Sequence, residues 1–273
     1  MNPMHSILFH IGPIPIRAYG LCMAVGFLCS WQLALYLCKK TKQTLPDLTS
    51  LLTWIMFSAV LGARLAYVIE HWQAEFAHNP LAIVRIDQGG LMFYGGLIAA
   101  FIPLLAYTWF FKVPFFVIGD LAASVIALGH AFGRLGCFMH GCCFGKLSTC
   151  ACAVSFPQGS PAWYEQVNAG LISATAPSSL PVLPSQLVES GGNLVVFLIL
   201  FFLYPSQHHK RGFISGLYLI LYAILRFNVE YLRGDPRYAV GPLSISQTIS
   251  IGMVLLGLTF ILLAQIKHPK ATP

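Results

Sequence analysis

Charge is what this sequence lacks. Only 9% of its 273 residues are Asp, Glu, Lys or Arg, against about 25% in an ordinary soluble domain. Acidic side chains are scarcest, with nine in the whole chain. So few ionisable groups cannot cover a water-exposed surface, and a soluble globular fold is excluded. A fixed-period repeat is also missing, and 57% of the residues are hydrophobic, which excludes collagen, coiled coil and disorder. Eight cysteines are present but no Cys-x-x-Cys, so the simplest signature of a thiol redox protein is absent. Residues 1–10 lack the basic start and short apolar core of a cleavable signal peptide.

What the chain has instead is long apolar runs. They cover residues 18–38, 48–69, 91–111, 115–139, 187–204, 213–232 and 243–266, the fifth with a start as early as Pro184. A helix needs about 20 residues to cross a bilayer. The expectation is an all-α polytopic membrane protein with seven transmembrane helices in a single domain over 1–273. The segment before the first span, Ile11-Gly-Pro-Ile-Pro-Ile16, suits a piece lying at the membrane surface. Residues 144–184 form the one sizeable insertion, rich in Ser, Pro, Gly and Thr, with Trp163 and Tyr164 placed to act as interfacial anchors.

The net charge of +7 is read for topology rather than for nucleic acid, and no nucleic-acid partner is expected. Lys39, Lys40, Lys42, Lys112, Lys210, Arg211, Lys267 and Lys270 fall in alternate loops. The opposite loops hold a balanced mixture that includes Glu70, Asp87, Lys146, Arg233, Asp235 and Arg237. The positive-inside rule makes the first set cytoplasmic. The N-terminus is then outside, the C-terminus is cytoplasmic, and the 144–184 insertion is a small periplasmic head between spans four and five.

Charges inside a span cost several kcal/mol on most scales and tend to mark function. Arg64 interrupts span two. Asp120 lies early in span four, where it could snorkel to the surface, and Arg134 lies late in it. Arg226, Glu230 and Arg233 stand at i, i+4 and i+7 on one face of span six. The bland reading is an Arg226–Glu230 ion pair with Arg64 and Arg134 near an interface. The functional reading notes that one acid, Glu230, cannot neutralise them all, and that guanidinium forks suit a phosphate. A cavity for a phospholipid headgroup follows. Glycines in Gly89-Gly-Leu-Met-Phe-Tyr-Gly-Gly96 and along 129–145 would let backbone meet a ligand, or only let helices pack.

These motifs are recognisable in combination. Ile11-Gly-Pro, Arg17-Ala-Tyr-Gly20, Gly89-Gly-Leu-Met-Phe-Tyr-Gly-Gly-Leu97, Gly133-Arg-Leu-Gly-Cys-Phe138, Pro184-Ser-Gln-Leu-Val-Glu189 and Arg226-Phe-Asn-Val-Glu-Tyr-Leu-Arg233 occur in order. The whole chain resembles the bacterial prolipoprotein diacylglyceryl transferases. The resemblance implies a multi-pass enzyme of the bacterial cytoplasmic (inner) membrane. Its partners would be phosphatidylglycerol and prolipoprotein signal peptides with a lipobox cysteine, whose thiol becomes a thioether as glycerol phosphate leaves. It also implies roles. Arg134 would hold the donor phosphate. Arg226 would do likewise or stabilise the leaving group, oriented by Glu230. Tyr19, Arg64, Gln186, Glu189, Arg233 and Gly145 would line or brace the cavity. No cofactor is implied.

The chain departs from the family pattern in three places. Tyr94 stands where the family usually has a His proposed to help deprotonate the thiol, and a phenol with a reference pKa near 10 is a poorer base. Cys137 and His140 replace Asn, and Cys142 replaces Glu. His140 is the candidate to supply the missing base. Of the cysteines, Cys22, Cys29 and Cys38 read as small buried hydrophobes. For Cys137, Cys142, Cys143, Cys150 and Cys152 the first reading is a disulfide from Cys142 or Cys143 to Cys150 or Cys152. A metal site using His140 with these thiols is the second, although the spacing fits no standard zinc pattern, and no metal is assigned. His130 is expected to make a core hydrogen bond. Two further functions stay open: a divergent paralogue with another acceptor or with lipid binding alone, and an anion channel or transporter, which would want an internal repeat.

Overall fold

Helices carry most of the chain in the computed structural model, which describes residues 7–12, 14–85, 89–236 and 239–267. Asp87, Arg237 and Lys270, which entered the loop-charge argument, lie outside the described residues. Strands β1 (Ile7–Ile11) and β2 (Ile14–Arg17) pair antiparallel, so the surface segment expected before the first span is a hairpin. The helices are α1 (Ala18–Lys40), α2 (Leu48–Glu70), α3 (Phe93–Phe110), α4 (Phe115–His140), α5 (Pro161–Asn168), α6 (Ser185–Gln207), α7 (Phe213–Glu230) and α8 (Ile245–Lys267). A two-residue ladder, β3 (Ala239–Val240) with β4 (Leu243–Ser244), precedes α8.

Six of these helices are long and apolar enough to cross a membrane, namely α1, α2, α4, α6, α7 and α8. The third expected span is a shorter apolar helix over Tyr94–Phe110. At about 1.5 Å per residue it measures roughly 25 Å, just under the hydrocarbon thickness of about 30 Å. The protein is a multi-pass membrane protein.

The chain divides into two compact units. One runs from Lys42 to Ile118; the other contains the residues up to Thr41 and those from Gly119 onward. In the Lys42–Ile118 unit, α2 packs on α3 through small residues. A Cβ added at Gly62 would collide with Ala99, one at Gly95 with Ala66, and one at Gly96 would lie 2.9 Å from the Ala59 carbonyl. This is the close backbone approach that small residues permit between helices in lipid. The Gly-Gly pair after Tyr94 is thereby explained by packing.

In the larger unit α4 is the central helix. Half of its apolar window is buried, against 22% for α1 and 17% for α8. Its glycines seat α1: a Cβ on Gly136 would lie 3.0 Å from the Tyr19 ring, and one on Gly133 would lie 3.4 Å from Met23 Sδ. His130 receives the expected core hydrogen bond, 3.2 Å from the Tyr218 hydroxyl. Asp120 does not snorkel. It is 1% exposed and accepts from the Gly212 N–H at 2.7 Å, the Ser215 N–H at 2.8 Å and the Ser215 hydroxyl at 2.6 Å. A carboxylate in that place satisfies the orphan donors and the positive dipole end at the start of α7.

The connection from α4 to α6, where the insertion over 144–184 is expected, carries α5 and a buried cluster of Phe144, Phe156, Ala162 and Val182. Trp163 corrects one expectation. It is 6% exposed and donates its indole N–H to the Ala176 carbonyl at 2.8 Å, so it belongs to the core of this insertion; Tyr164 remains exposed. The cysteine expectation is corrected as well. Cys150 bonds to Cys152, while Cys142 and Cys143 are free thiols, because the turn that carries the pair aims it at the end of α4 instead.

Replacing Asp120 with Ala should lower stability by about 2 kcal/mol, the upper range for losing a helix cap. The Asn variant, still able to accept, should lose less than half of that. Thermal unfolding of the detergent-solubilised protein reads both.

Candidate functional site

The polar groups of the larger unit gather where α4 ends, α6 begins and α7 ends. Helix α4 stops in a Schellman turn. Gly141 adopts φ +80°, its N–H bonds the Phe138 carbonyl at 3.2 Å, and the Cys142 N–H bonds the Cys137 carbonyl at 3.2 Å. A non-glycine left-handed residue follows at once, Cys143 with φ 61°. The chain is thus folded back on the last turn of the helix, and the thiols of Cys137, Cys142 and Cys143 all lie within 4.8 Å of one another. Helix α6 holds the reversal in place. Gln186 Nε2 donates to the Cys142 carbonyl at 2.8 Å and Ser185 Oγ to the Cys143 carbonyl at 2.9 Å. Both side chains are fully buried.

Gly145 was expected to line the cavity; its place is a backbone crossing. A Cβ there would lie 2.5 Å from the Leu183 carbonyl and 2.8 Å from the Leu232 carbonyl. Its N–H bonds Leu183 at 2.9 Å, and Gly234 N–H bonds Phe144 at 3.1 Å. The segment after α7 is tied to the segment after α4, which brings Arg233 within electrostatic reach of Cys143.

The expectation that Glu230 is the one acid facing Arg64, Arg134, Arg226 and Arg233 is corrected. Arg134 Nη2 lies 3.1 Å from Glu189 Oε1. Arg226 Nη1 lies 2.8 Å from Glu230 Oε2 and its Nη2 donates to Ser246 Oγ at 2.8 Å. Arg233 grips Asp235 with two bonds, 2.8 Å from Nε and 2.6 Å from Nη2. Because α7 ends at Glu230, Arg233 lies beyond the helix and is not the third residue of a helical face. A buried charge without a partner is very costly, and each guanidinium has found one.

The pairs are not equivalent. The Arg134 side chain is 24% accessible while Glu189 is 1%, and their contact is single, which leaves further guanidinium donors for an anion. Tyr222 lies within electrostatic reach of Arg134, Glu189 and Arg226. Gln186 Oε1 and Asn193 Oδ1 are buried acceptors with no hydrogen-bond donor among the described residues. Tyr19 lies within electrostatic reach of Cys137, Cys142 and Arg134, and its ring is 6.4 Å from that of His140, which is exposed. Among the thiols outside the spans, Cys143 is held well below the ordinary thiol range by hydrogen bonds from Cys137 and Cys142, with Arg233 and Arg134 adding to the effect. Cys142 is pushed up, first by its hydrogen bond with Cys137.

Arg64 and Tyr94 belong to the other unit. Tyr94 is 68% exposed. Arg64 is 7% exposed and donates to five carbonyls, those of Ile83, Ala82, Gly89, Gly90 and Arg85, at 2.6–3.3 Å. Its charge organises the connection from α2 to α3. Sequence reasoning missed Tyr222, Asn193 and Asp235. The i, i+4 line Tyr222–Arg226–Glu230 and the closeness of Asp235 to Arg233 were the available signals.

The fold and site together define a polytopic membrane protein whose polar centre is a set of buried arginine–carboxylate pairs beside three thiols. The chain belongs to the prolipoprotein diacylglyceryl transferase family, whose profile matches residues 6–263. It is similar to the phosphatidylglycerol–prolipoprotein diacylglyceryl transferase of Bordetella bronchiseptica, at 33% identity over 92% of this chain and 92% of the relative. The enzyme of the same name from Rhodospirillum rubrum is 32% identical over 98% and 94%. A protein named phosphatidylglycerol–prolipoprotein diacylglyceryl transferase 2, from Clostridium perfringens, is 29% identical over 98% and 99%. Membership makes the chain an enzyme of the transferase class.

Replacing Arg64 with Ala should cost on the order of 3 kcal/mol locally, since several charge-assisted hydrogen bonds vanish at once. Amide exchange at Ala82 and Arg85 should then speed by about 100-fold. Unchanged protection combined with loss of lipid binding would instead make Arg64 a ligand residue.

Proposed function

We propose that the protein transfers the diacylglyceryl group of phosphatidylglycerol to the lipobox cysteine thiol of prolipoproteins, the first step of lipoprotein maturation. The acceptor sulfur forms a bond to the terminal glyceryl carbon. The carbon–oxygen bond to phosphate breaks, its electron pair stays on oxygen, and glycerol phosphate leaves while the thiol gives up its proton. The observation that carries this reading is the accessible guanidinium of Arg134, singly paired with buried Glu189. Family membership and the substrates in the names of the relatives support it.

The chemistry suits the residues. The transition state builds negative charge on phosphate oxygens, and preorganised cations in a water-poor site stabilise that charge as it develops. Arg134 binds the donor phosphate. Arg226, oriented by Glu230 and Ser246, stabilises the leaving group, and Tyr222 joins them. Glu189 restrains Arg134, while Gln186, Arg233 and Tyr19 shape the walls of the site. The substrate brings the nucleophile, so the enzyme needs none of its own. His140, exposed at the end of α4, is placed to accept the thiol proton. Tyr94 and the thiol cluster favour a second reading, a paralogue that uses the same donor with a different acceptor. In either case we place the protein in the bacterial cytoplasmic membrane. Seven spans, an external N-terminus and the 144–184 insertion on the periplasmic side follow from the basic residues in alternate loops.

The test is a transfer assay with phosphatidylglycerol and a lipobox peptide, following peptide mass and released glycerol phosphate. Wild type should add one diacylglyceryl group. Arg134→Ala should lose about 100- to 1,000-fold in rate, the usual cost of removing one preorganised donor to a developing oxyanion. Glu189→Gln should lose less, since it frees Arg134 while removing a buried charge. No mass gain with phosphatidylglycerol still bound would leave the donor site and overturn the acceptor.

A further inference from the structure

The site contains something the transfer reaction as described does not use. Cys137, Cys142 and Cys143 present three sulfur atoms within 4.8 Å of one another. Tetrahedral thiolate coordination to zinc, with zinc–sulfur bonds of about 2.3 Å, sets neighbouring sulfurs about 3.8 Å apart. Closing the gap takes an adjustment of an ångström or less, within the reach of side-chain rotation. A thiol trio held this way is a set of soft ligands with three contributors and, among the described residues, no fourth protein donor in the cluster. That is the composition of a zinc site with an open position rather than of a closed structural one.

Three further observations favour a ligand site over incidental packing. The backbone that carries the thiols is fixed from outside, by the Schellman turn at Gly141 and by Gln186 and Ser185 on the carbonyls of Cys142 and Cys143. Outer-shell bonds of this kind orient metal ligands. Three thiolates around a divalent ion also carry one net negative charge, and Arg233 lies within electrostatic reach of Cys143 and Arg134 within reach of both Cys137 and Cys143. Finally, the bond pattern leaves these thiols unspent. The nearby disulfide closes between Cys150 and Cys152 and takes none of them.

We infer that Cys137, Cys142 and Cys143 bind one thiophilic divalent cation of the zinc type, and that its open position receives the acceptor thiol. The inference rests on the transfer reading above for its second half. A coordinated thiol is deprotonated outright. The acceptor would therefore reach the glyceryl carbon as a metal-held thiolate, its proton passing to His140 or to water. The sulfur–carbon bond then forms as the carbon–oxygen bond breaks, and the thioether, a weaker ligand than a thiolate, leaves the metal. No oxidant or reductant is needed. This supplies the thiol activation that Tyr94 cannot, and it puts the nucleophile beside Arg134, where the leaving phosphate would be held. His140, which the sequence reading paired with the thiols as a ligand, is not one of the three.

The experiment uses the full-length protein in detergent, reduced and stripped of metal. Zinc(II) is added, bound metal is counted by mass spectrometry, and cobalt(II) is added in parallel to read thiolate charge-transfer absorption. Wild type should bind one ion per chain with cobalt–thiolate bands. Cys137→Ser, Cys142→Ser and Cys143→Ser should each weaken binding by at least about 100-fold, more than the loss of an outer-shell partner. Cys22→Ser, in α1 outside the cluster, serves as the control and should bind as wild type does. Circular dichroism and phosphatidylglycerol binding report whether each variant is folded. Three titratable free thiols with no ion retained would overturn the site, as would a disulfide within the trio. Transfer by stripped protein at the rate of zinc-loaded protein would overturn the thiol-activation half and leave the transfer reading intact. One bound ion without any transfer to lipobox peptide would overturn that reading together with the activation half, while establishing the three-thiolate site.

Discussion

A guanidinium withdrawn from water must be met by a carboxylate or by a ring of carbonyls, because an uncompensated charge inside a membrane protein costs more than most folds can absorb. That constraint organises this molecule. Arg64 is met by five carbonyls and so decides the course of the chain between α2 and α3. Arg226 is met within its own helix by Glu230. Arg233 is met by Asp235 just past the helix end, and Arg134 by Glu189 on a neighbouring helix. The last pair differs from the others because the Arg134 side chain is 24% accessible, against 12% for Arg226 and 3% for Arg233. The same constraint that gives all four a partner leaves Arg134 the most open of them.

A second layer of organisation is backbone proximity at glycine. Gly145 and Gly234 sit where two segments cross too closely for a side chain, since a Cβ on Gly234 would meet the Gly145 carbonyl. The crossing fastens the segment that carries Cys142 and Cys143 to the one that carries Arg233. Gly141 supplies the positive φ that turns the end of α4 back on itself. These glycines do not touch a ligand to matter. They set the distance between thiols and guanidiniums, and a methyl group at either crossing would have to move a carbonyl.

How much of this could be read from the sequence follows from the range of each interaction. Spans were legible because length and hydropathy are local properties, and Arg226–Glu230 was legible because i, i+4 neighbours share a helix face. Glu189 as the partner of Arg134 was not, since nothing local says that the start of α6 meets the end of α4. Asp120 looked like a snorkelling residue by depth alone; its true partners lie at the start of α7. Trp163 looked interfacial by composition, and the insertion it belongs to buries it. The disulfide was misassigned because sequence spacing cannot show that a Schellman turn aims Cys142 and Cys143 back at Cys137 and away from Cys150 and Cys152. Arg233 was drawn one turn too far along a helix that ends at Glu230.

The departures from the family pattern read differently once the geometry is known. Taken one by one, Tyr94 for His removes a base, while Cys137 and Cys142 for polar groups remove hydrogen-bonding capacity at the site. Under the inference drawn above they are one exchange. A thiol nucleophile can be prepared by a base that takes its proton or by a cation that stabilises its thiolate. A chain that gives up the first has reason to acquire the second. Three thiols brought together by a helix-end turn, within electrostatic reach of Arg233, are what acquiring it would require.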